Sequence, residues 1–147
     1  MAGLPPSPPP GAHPGLIVPV LRYRDAKAMI DWLCQTFGFE IHAIYEDDQG
    51  RVGHAELTYG DELIMLSSVL ETPFSKHMVQ PDEVGGRETI SIYVVVPNAD
   101  LHYSRAKAAG ATILIEIKDE DYGGRGFTCR DPEGHIWSFG TYDPWGD

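Results

Sequence analysis

Cysteine is scarce in this 147-residue chain. Cys34 and Cys129 are the two thiols, and no C-x-x-C spacing joins them. A disulfide framework or a zinc ribbon needs more thiols at closer spacing, so neither is expected; two buried thiols in a reducing cytoplasm are. Positive charge is scarce too. Eleven Lys and Arg stand against 22 Asp and Glu, a formal net charge of -11. Nucleic-acid binding requires clustered Lys and Arg against phosphates, and no such cluster occurs. Nucleic acid and anionic membrane surfaces are excluded as partners, while a neutral or cationic small ligand is admitted. Long apolar runs are missing, and without about 18 consecutive apolar residues no membrane span is predicted. The opening "MAGLPPSPPPGAHPG" has neither the basic nor the apolar region of a signal peptide, so a cytoplasmic location is expected. No serine sits in a G-x-S-x-G elbow, and no glycine-rich loop opens a helix as a phosphate cradle would.

What is present is a repeated order of elements. The hydrophobic content of 42% suits one globular domain or two small modules. Residues 1–15 are proline-rich and read as a disordered or extended tail. "LIVPVLRY" reads as a strand, and Asp25 as the cap of a helix whose Met29, Ile30, Leu33 and Phe37 recur at helical spacing up to Gly38. "FEIHAIYE", "RVGHAELTY" and "ELIMLSS" follow as strands divided by the turns "DDQG" and "GD". Residues 69–87 have no clean period and read as a linker or mobile loop. The order then recurs: strand "ETISIYVVV", a helix from Asn98 or Asp100 to Gly110, and strands "TILIEIK", "RGFTCR" and "HIWSFGTY". The expected fold is therefore α+β, with two tandem βαβββ modules at residues 16–68 and 88–142, a tail at 143–147, and a half-open barrel-like cleft between the sheets.

Strand alternation sorts the side chains further. Ile90, Ile92, Val94 and Val96 form one apolar face for a helix, and Thr89, Ser91, Tyr93 and Val95 form the other. In the last strand Ile136, Ser138 and Gly140 fall on the cleft side, and Trp137 and Phe139 on the helix side. Trp145 is expected to anchor the tail.

"PVLRYRDAKAMIDWLCQTFGFEI" and "YGGRGFTCRDPEGHIWSFG", set in this duplicated topology, resemble the vicinal oxygen chelate superfamily of glyoxalase I, bleomycin-resistance proteins and extradiol dioxygenases. The likeness covers about residues 16–142. It implies a divalent metal held by one side chain from the first and one from the last strand of each module. Carried onto this chain, those positions fall at Val18 or Pro19 (depending on register), at Met65, at Ser91 and at Ser138. None is His, Asp, Glu or Cys. Hard divalent ions need carboxylate or imidazole ligands, so neither the family metal nor another cofactor is expected. The likeness is then strongest in character to the metal-free bleomycin-resistance type.

Among candidate site residues, His54 and Glu56 share a strand face at i and i+2. They read either as a general base with its orienting carboxylate or as an exposed polar pair. Tyr122, Gly123, Gly124 and Arg125 read either as a loop approaching a ligand or as a plain turn. Tyr93, Tyr122 and Phe127 could stack on a flat or cationic ligand, beside Met65, Ser67, Ser91 and Ser138 on the cleft faces. His135 is expected at a strand edge near solvent, His102 and Asp100 exposed at a helix start, and Cys129 buried. The expected function is metal-free binding and sequestration of a small molecule by a homodimer. The alternative is a glyoxalase-like lyase or isomerase that uses non-standard metal ligands or acid–base chemistry through His54 and Glu56. Whether the modules pair within a chain or between chains stays open.

Overall fold

The computed structural model describes Ser7, Pro8, Gly11 and residues 14–146; most of the proline-rich segment 1–15 lies outside these. Along the chain run β1 (Val20–Tyr23), α1 (Ala26–Phe37), β2 (Glu40–Glu46), β3 (Val52–Tyr59), β4 (Glu62–Ser68), β5 (Ile92–Val95), α2 (Ala99–Ala108), β6 (Thr112–Asp119), β7 (Arg125–Arg130) and β8 (Ile136–Gly140). They form two four-stranded sheets of matching order, β1-β4-β3-β2 and β5-β8-β7-β6. In each, the first strand pairs in parallel with the last and the other pairs are antiparallel. The fold is α+β with two βαβββ units, and the sheets do not close into a barrel. Among the described residues no helix is long and apolar enough to cross a membrane.

Each helix starts where its cap supplies an acceptor. The Asp25 carboxylate accepts from the Ala28 N–H at 3.1 Å, and the Asn98 side chain from Leu101 N–H at 3.1 Å. Gly38, at φ 86°, ends α1 in the left-handed conformation and donates its N–H to Cys34. Met29, Ile30, Leu33 and Phe37 form the buried stripe of α1. They meet Ala55, Leu57, Ile64 and Leu66, which alternate inward from β3 and β4.

The second sheet turns Phe127, Cys129, Trp137 and Phe139 toward the same core. Phe37 crosses between the units: its ring lies 5.2 Å from Trp137 and 4.5 Å from Phe139. The two sheets thus meet through their helix-side faces, which leaves the opposite face of each open.

The Asp131–Gly134 turn is the polar counterpart of this packing. Asp131 accepts from Tyr23 Oη at 2.6 Å, from Trp137 Nε1 at 3.1 Å and from the backbone N–H groups of Glu133 and His135. Glu133 accepts from the backbone N–H groups of Arg24 and Asp25 at 2.6 and 2.9 Å. One turn of the second unit therefore satisfies the donors at the β1–α1 corner of the first.

Several expectations are corrected here. β5 starts at Ile92, not Glu88, because its pairing with β8 begins at Ile92 opposite Trp137. Glu88 is instead drawn to His135 Nδ1 at 2.7 Å and to the Ile136 N–H at 2.9 Å. β1 starts at Val20, after Pro19, which has no N–H to donate. His135 is not near solvent: it bridges Glu88 and the Arg22 carbonyl, which its Nε2 meets at 2.9 Å. His102 is half-buried in the shared core, stacked on Phe139 at 5.4 Å. Trp145, expected to anchor the tail, is instead 95% exposed. Residues 69–87 contain two short 3-10 turns, Ser75–His77 and Pro81–Val84. The second is fixed by a reciprocal cap between Gln80 and Glu83 and by buried Pro81.

His102 makes stability depend on pH. Its Nδ1 is sealed with no hydrogen-bond partner among the described residues, and burial, helped by Arg105, lowers the imidazole from its ordinary value. The ring is neutral in the folded state, whereas the unfolded chain takes up a proton near pH 6.5. Stability therefore falls as pH drops below about 6.5, until the folded ring also titrates. Urea unfolding at pH 7.5, 6.5 and 5.5 should show a shallower loss for His102→Leu than for the parent protein.

Candidate functional site

The open face of the second sheet holds a cleft of about 280 Å³, bordered by Tyr93, Tyr122, Tyr142, Thr128, Ser138 and Glu120. Its shape follows from side-chain size along β7 and β8. Gly126 and Gly140 lie opposite each other, and a Cβ on Gly140 would come within 2.6 Å of Tyr93 Oη. Only a glycine there lets the Tyr93 ring lie across the strand. Tyr93 donates to the Tyr142 carbonyl at 2.7 Å, which holds the segment after β8 against the sheet. Tyr142 in turn meets the Tyr122 ring edge-on at 5.1 Å. Burial pushes the Tyr93 phenol up from its ordinary value, so it remains a neutral donor. The floor is polar: Ser138 and Thr128 share a 2.8 Å hydrogen bond.

Around the rim Arg125 is occupied by Asp100 and Asp119, and Lys118 lies 3.9 Å from Glu120. The loop Tyr122–Arg125 thus brings an aromatic ring and a neutralised cation to the cleft. Ser91 lies on the same exposed side as Tyr93, just before β5 begins. Phe127 faces the other way. It is 3% exposed and stacks on Phe139 at 5.5 Å, so it closes the cleft from the core side. Thr128, next to it, is the residue that reaches the open face, and its chemistry alone gave no sign of this.

The open face of the first sheet carries the other candidates. Met65 pairs with Val20 on one side and Glu56 on the other, and Ser67 pairs with Arg22. His54 Nε2 and Glu56 Oε2 are 2.8 Å apart, His42 Nε2 is 3.8 Å from the other Glu56 oxygen, and Tyr45 stacks on His54 at 6.1 Å. His54 and Glu56 therefore do share a face and a hydrogen bond, half-buried, in the geometry a base and its orienting carboxylate would need.

The metal implied by the resemblance can be tested on donor chemistry. The Met65 N–H bonds the Pro19 carbonyl at 3.0 Å, and Ser138 pairs with Tyr93, two residues beyond Ser91. The four positions thus fall on the first and last strands of each sheet or just beside them. They carry Val18 or Pro19, a thioether and two neutral hydroxyls, one of which is already bonded to Thr128. This set does not fit a hard divalent cation. Among the described residues, no three His, Cys, Asp or Glu gather in a way that could hold a metal.

A larger groove of about 580 Å³ runs along the junction of the units, past Arg24, Asp82, Gly86, Arg130 and Asp131. Its polar groups already serve each other: Arg24 pairs with Asp82 at 2.7 Å, and Arg130 donates to the Gly86 and Gly134 carbonyls. Cys34, expected to be buried, is half-buried, and burial raises its thiol from the ordinary value. Cys129 is buried and its thiol is pushed up to about 12 by desolvation.

Comparison with known proteins follows the same lines. The Glyoxalase/Bleomycin resistance protein/Dioxygenase superfamily matches residues 13–139. An uncharacterized protein of Mycobacterium bovis, Mb0911c, is 30% identical over 132 residues, 89% of this chain and 82% of its own. Rv0887c of Mycobacterium tuberculosis, also uncharacterized, is 30% identical over 132 residues, covering 89% of this chain and 74% of its own length. The crystal structure of TioX from Micromonospora sp. ML1 superposes with a TM-score of 0.66 at 32% identity, over 88% of this chain and 98% of that one. The fosfomycin resistance protein FosX from Mesorhizobium loti shares the fold, with a TM-score of 0.62 at 16% identity over 89% of this chain and 94% of that one.

Proposed function

Because the chain belongs to the glyoxalase/bleomycin resistance protein/dioxygenase superfamily, we propose that it binds and sequesters a small molecule without a metal. The observation that carries this reading is the tyrosine-walled cleft on the second sheet, with Tyr93, Tyr122 and Tyr142 around a Ser138–Thr128 floor. Aromatic faces with Glu120 at the rim suit a flat, cationic compound, and the net charge of -11 favours its approach. Met65, Ser67 and Ser91 are proposed to join the ligand surface when two copies pair. Exposed Val20, Ile41 and Tyr45 on the first sheet, and Tyr93, Val95 and Ile115 on the second, supply apolar area for a homodimer in which each copy covers the other's cleft. A cytoplasmic location is part of this reading.

Titration calorimetry with a panel of basic aromatic compounds tests it. Saturable binding is expected, weakened about tenfold or more, or about 1.4 kcal/mol, by Tyr93→Ala. Silence across the panel counts against sequestration, and stoichiometric Zn, Ni, Mn or Fe in the purified protein counts against the metal-free claim. The 2.8 Å His54–Glu56 bond supports a second reading as a metal-free lyase or isomerase. It requires turnover of a bound compound that His54→Gln abolishes while binding persists.

A further inference from the structure

Arg22 is 7% exposed, and among the described residues no carboxylate forms an ion pair with it. Two more exposed arginines, Arg24 two residues on and Arg125 on the second sheet, are each paired with acids. The Arg22 side chain lies on the open face of the first sheet, in register with Ser67 on β4. Of its five N–H donors, one is used, in a long 3.4 Å bond from Nη1 to the Ser75 carbonyl. Nε is fully enclosed and makes no hydrogen bond among the described residues. Nη2 makes none either, and is not sealed. Burying an unpaired guanidinium costs several kcal/mol, and proteins meet that cost with an anion.

The backbone around Arg22 is, by contrast, fully engaged. Its carbonyl accepts from Gln80 Nε2 at 2.9 Å and from His135 Nε2 at 2.9 Å. The position of the residue is fixed while its charged end is left unserved. The cover over it is loosely tied. The Thr72–Ser75 turn is held by its own hydrogen bonds. Among the described residues, the Arg22–Ser75 contact is the single hydrogen bond linking residues 70–79 to the sheet.

We propose that Arg22, with Ser67 beside it, is the binding point for an oxyanion, a carboxylate or a phosphoryl or phosphonyl group, carried by a small molecule lying on the open face of the first sheet. Nη2 is the open end of the guanidinium, and once the covering turn moves aside the Nε–Nη2 edge becomes the fork that holds such a group through two parallel hydrogen bonds. The Ser67 hydroxyl, which donates to the Ser68 carbonyl at 3.1 Å, keeps its lone pairs and can accept a hydroxyl or a protonated oxygen of the ligand. The rest of such a ligand would extend across β4 toward His54 and Glu56, about 10 Å away at the usual strand spacing. The Ser75 turn would shift to admit it. This site is on the other sheet from the tyrosine cleft and shares only Ser67 with the surface proposed above, so loss of binding through Tyr93→Ala and through Arg22→Lys are distinguishable failures.

The test is nitrogen-15 NMR of the arginine Nε–H groups during titration with inorganic phosphate, methylphosphonate and acetate at constant ionic strength held with chloride. One Nε–H resonance, missing from the spectrum of Arg22→Lys, should move saturably with at least one of the three probes. Which probe acts identifies a phosphoryl, phosphonyl or carboxylate group. Arg22→Lys, which keeps the charge and loses the fork, should weaken binding about tenfold, and Arg22→Gln more. Saturation of no probe would overturn the proposal. So would a response confined to the other arginines, or affinity unchanged in Arg22→Lys. The titration of the parent protein and the lysine variant decides the matter even if Arg22→Gln does not fold.

Discussion

Replacing Asp131 with alanine is expected to destabilise the protein by about 3–5 kcal/mol, the range for stripping a buried hydrogen-bonded charge of its role. Asp131 is 3% exposed. All partners of its carboxylate are donors: the Tyr23 hydroxyl, the Trp137 indole N–H and two backbone N–H groups. Burial pushes its carboxyl up from the ordinary carboxylate value, and the Tyr23 and Trp137 hydrogen bonds pull it back toward the charged form. Alanine leaves those donors buried and unmet. Tyr23 cannot escape by ionising, since burial, the largest cause that raises its phenol, persists in the variant. In a protein of this size the loss corresponds to a fall in Tm of roughly 10 °C. Asp131→Asn should cost less but still destabilise, because its amide would point donors at donors. Urea and thermal unfolding measure both. A coupling with Tyr23→Phe of less than about 0.5 kcal/mol in a double-mutant cycle would show that the hub is not cooperative.

That hub also marks the limit of what was legible beforehand. The strands and helices were visible because each carries its own period and stops. Alternation in "HIWSFG" placed Trp137 and Phe139 on the helix side, where they are fully buried, and it placed Ser138 on the open face. Asp25 and Gly38 announced the ends of α1 through local chemistry, while the cap of α2 lay between Asn98 and Asp100 until the Asn98 side chain was seen to accept from Leu101. Contacts between distant residues carry no such signal. Tyr23 and Asp131 are 108 positions apart, and His135 and Glu88 are 47, so His135 looked like a solvent-facing turn residue. Phe127 required the register of β7 against β8, where it lies opposite Phe139. Cross-strand partners share a face, and that fact is not written in "RGFTCR". Arg22 is hidden for a different reason: the segment 69–87, whose Ser75 carbonyl its guanidinium meets, has no period that would place it over β1.

Phe37→Ala should cost about 3–5 kcal/mol, as large aromatic deletions from cores do, and its second consequence bears on function. Phe37 belongs to the first unit by sequence, yet its ring contacts Trp137 and Phe139 of the second as well as Trp32, at 4.9 Å, in its own helix. The buried residues that α2 adds here are the small Ala99 and Ala106, so the space left by Phe37 is bordered mainly by Trp32, Trp137 and Phe139. The cavity would open between the two sheets, where their relative position is set. Both candidate surfaces lie on the far sides of those sheets and touch no atom of Phe37. A variant that remains folded at low temperature should therefore keep the local geometry of Tyr93, Tyr142 and Ser138, while losing the fixed angle between the open faces. If the ligand sits within one sheet, affinity measured by calorimetry at 10 °C should stay within about threefold of the parent. If two copies must present both faces together, affinity and dimerisation should fall together, by about tenfold or more. Calorimetry paired with analytical ultracentrifugation on this one variant separates a cleft that a single sheet completes from one that depends on how the two units are held.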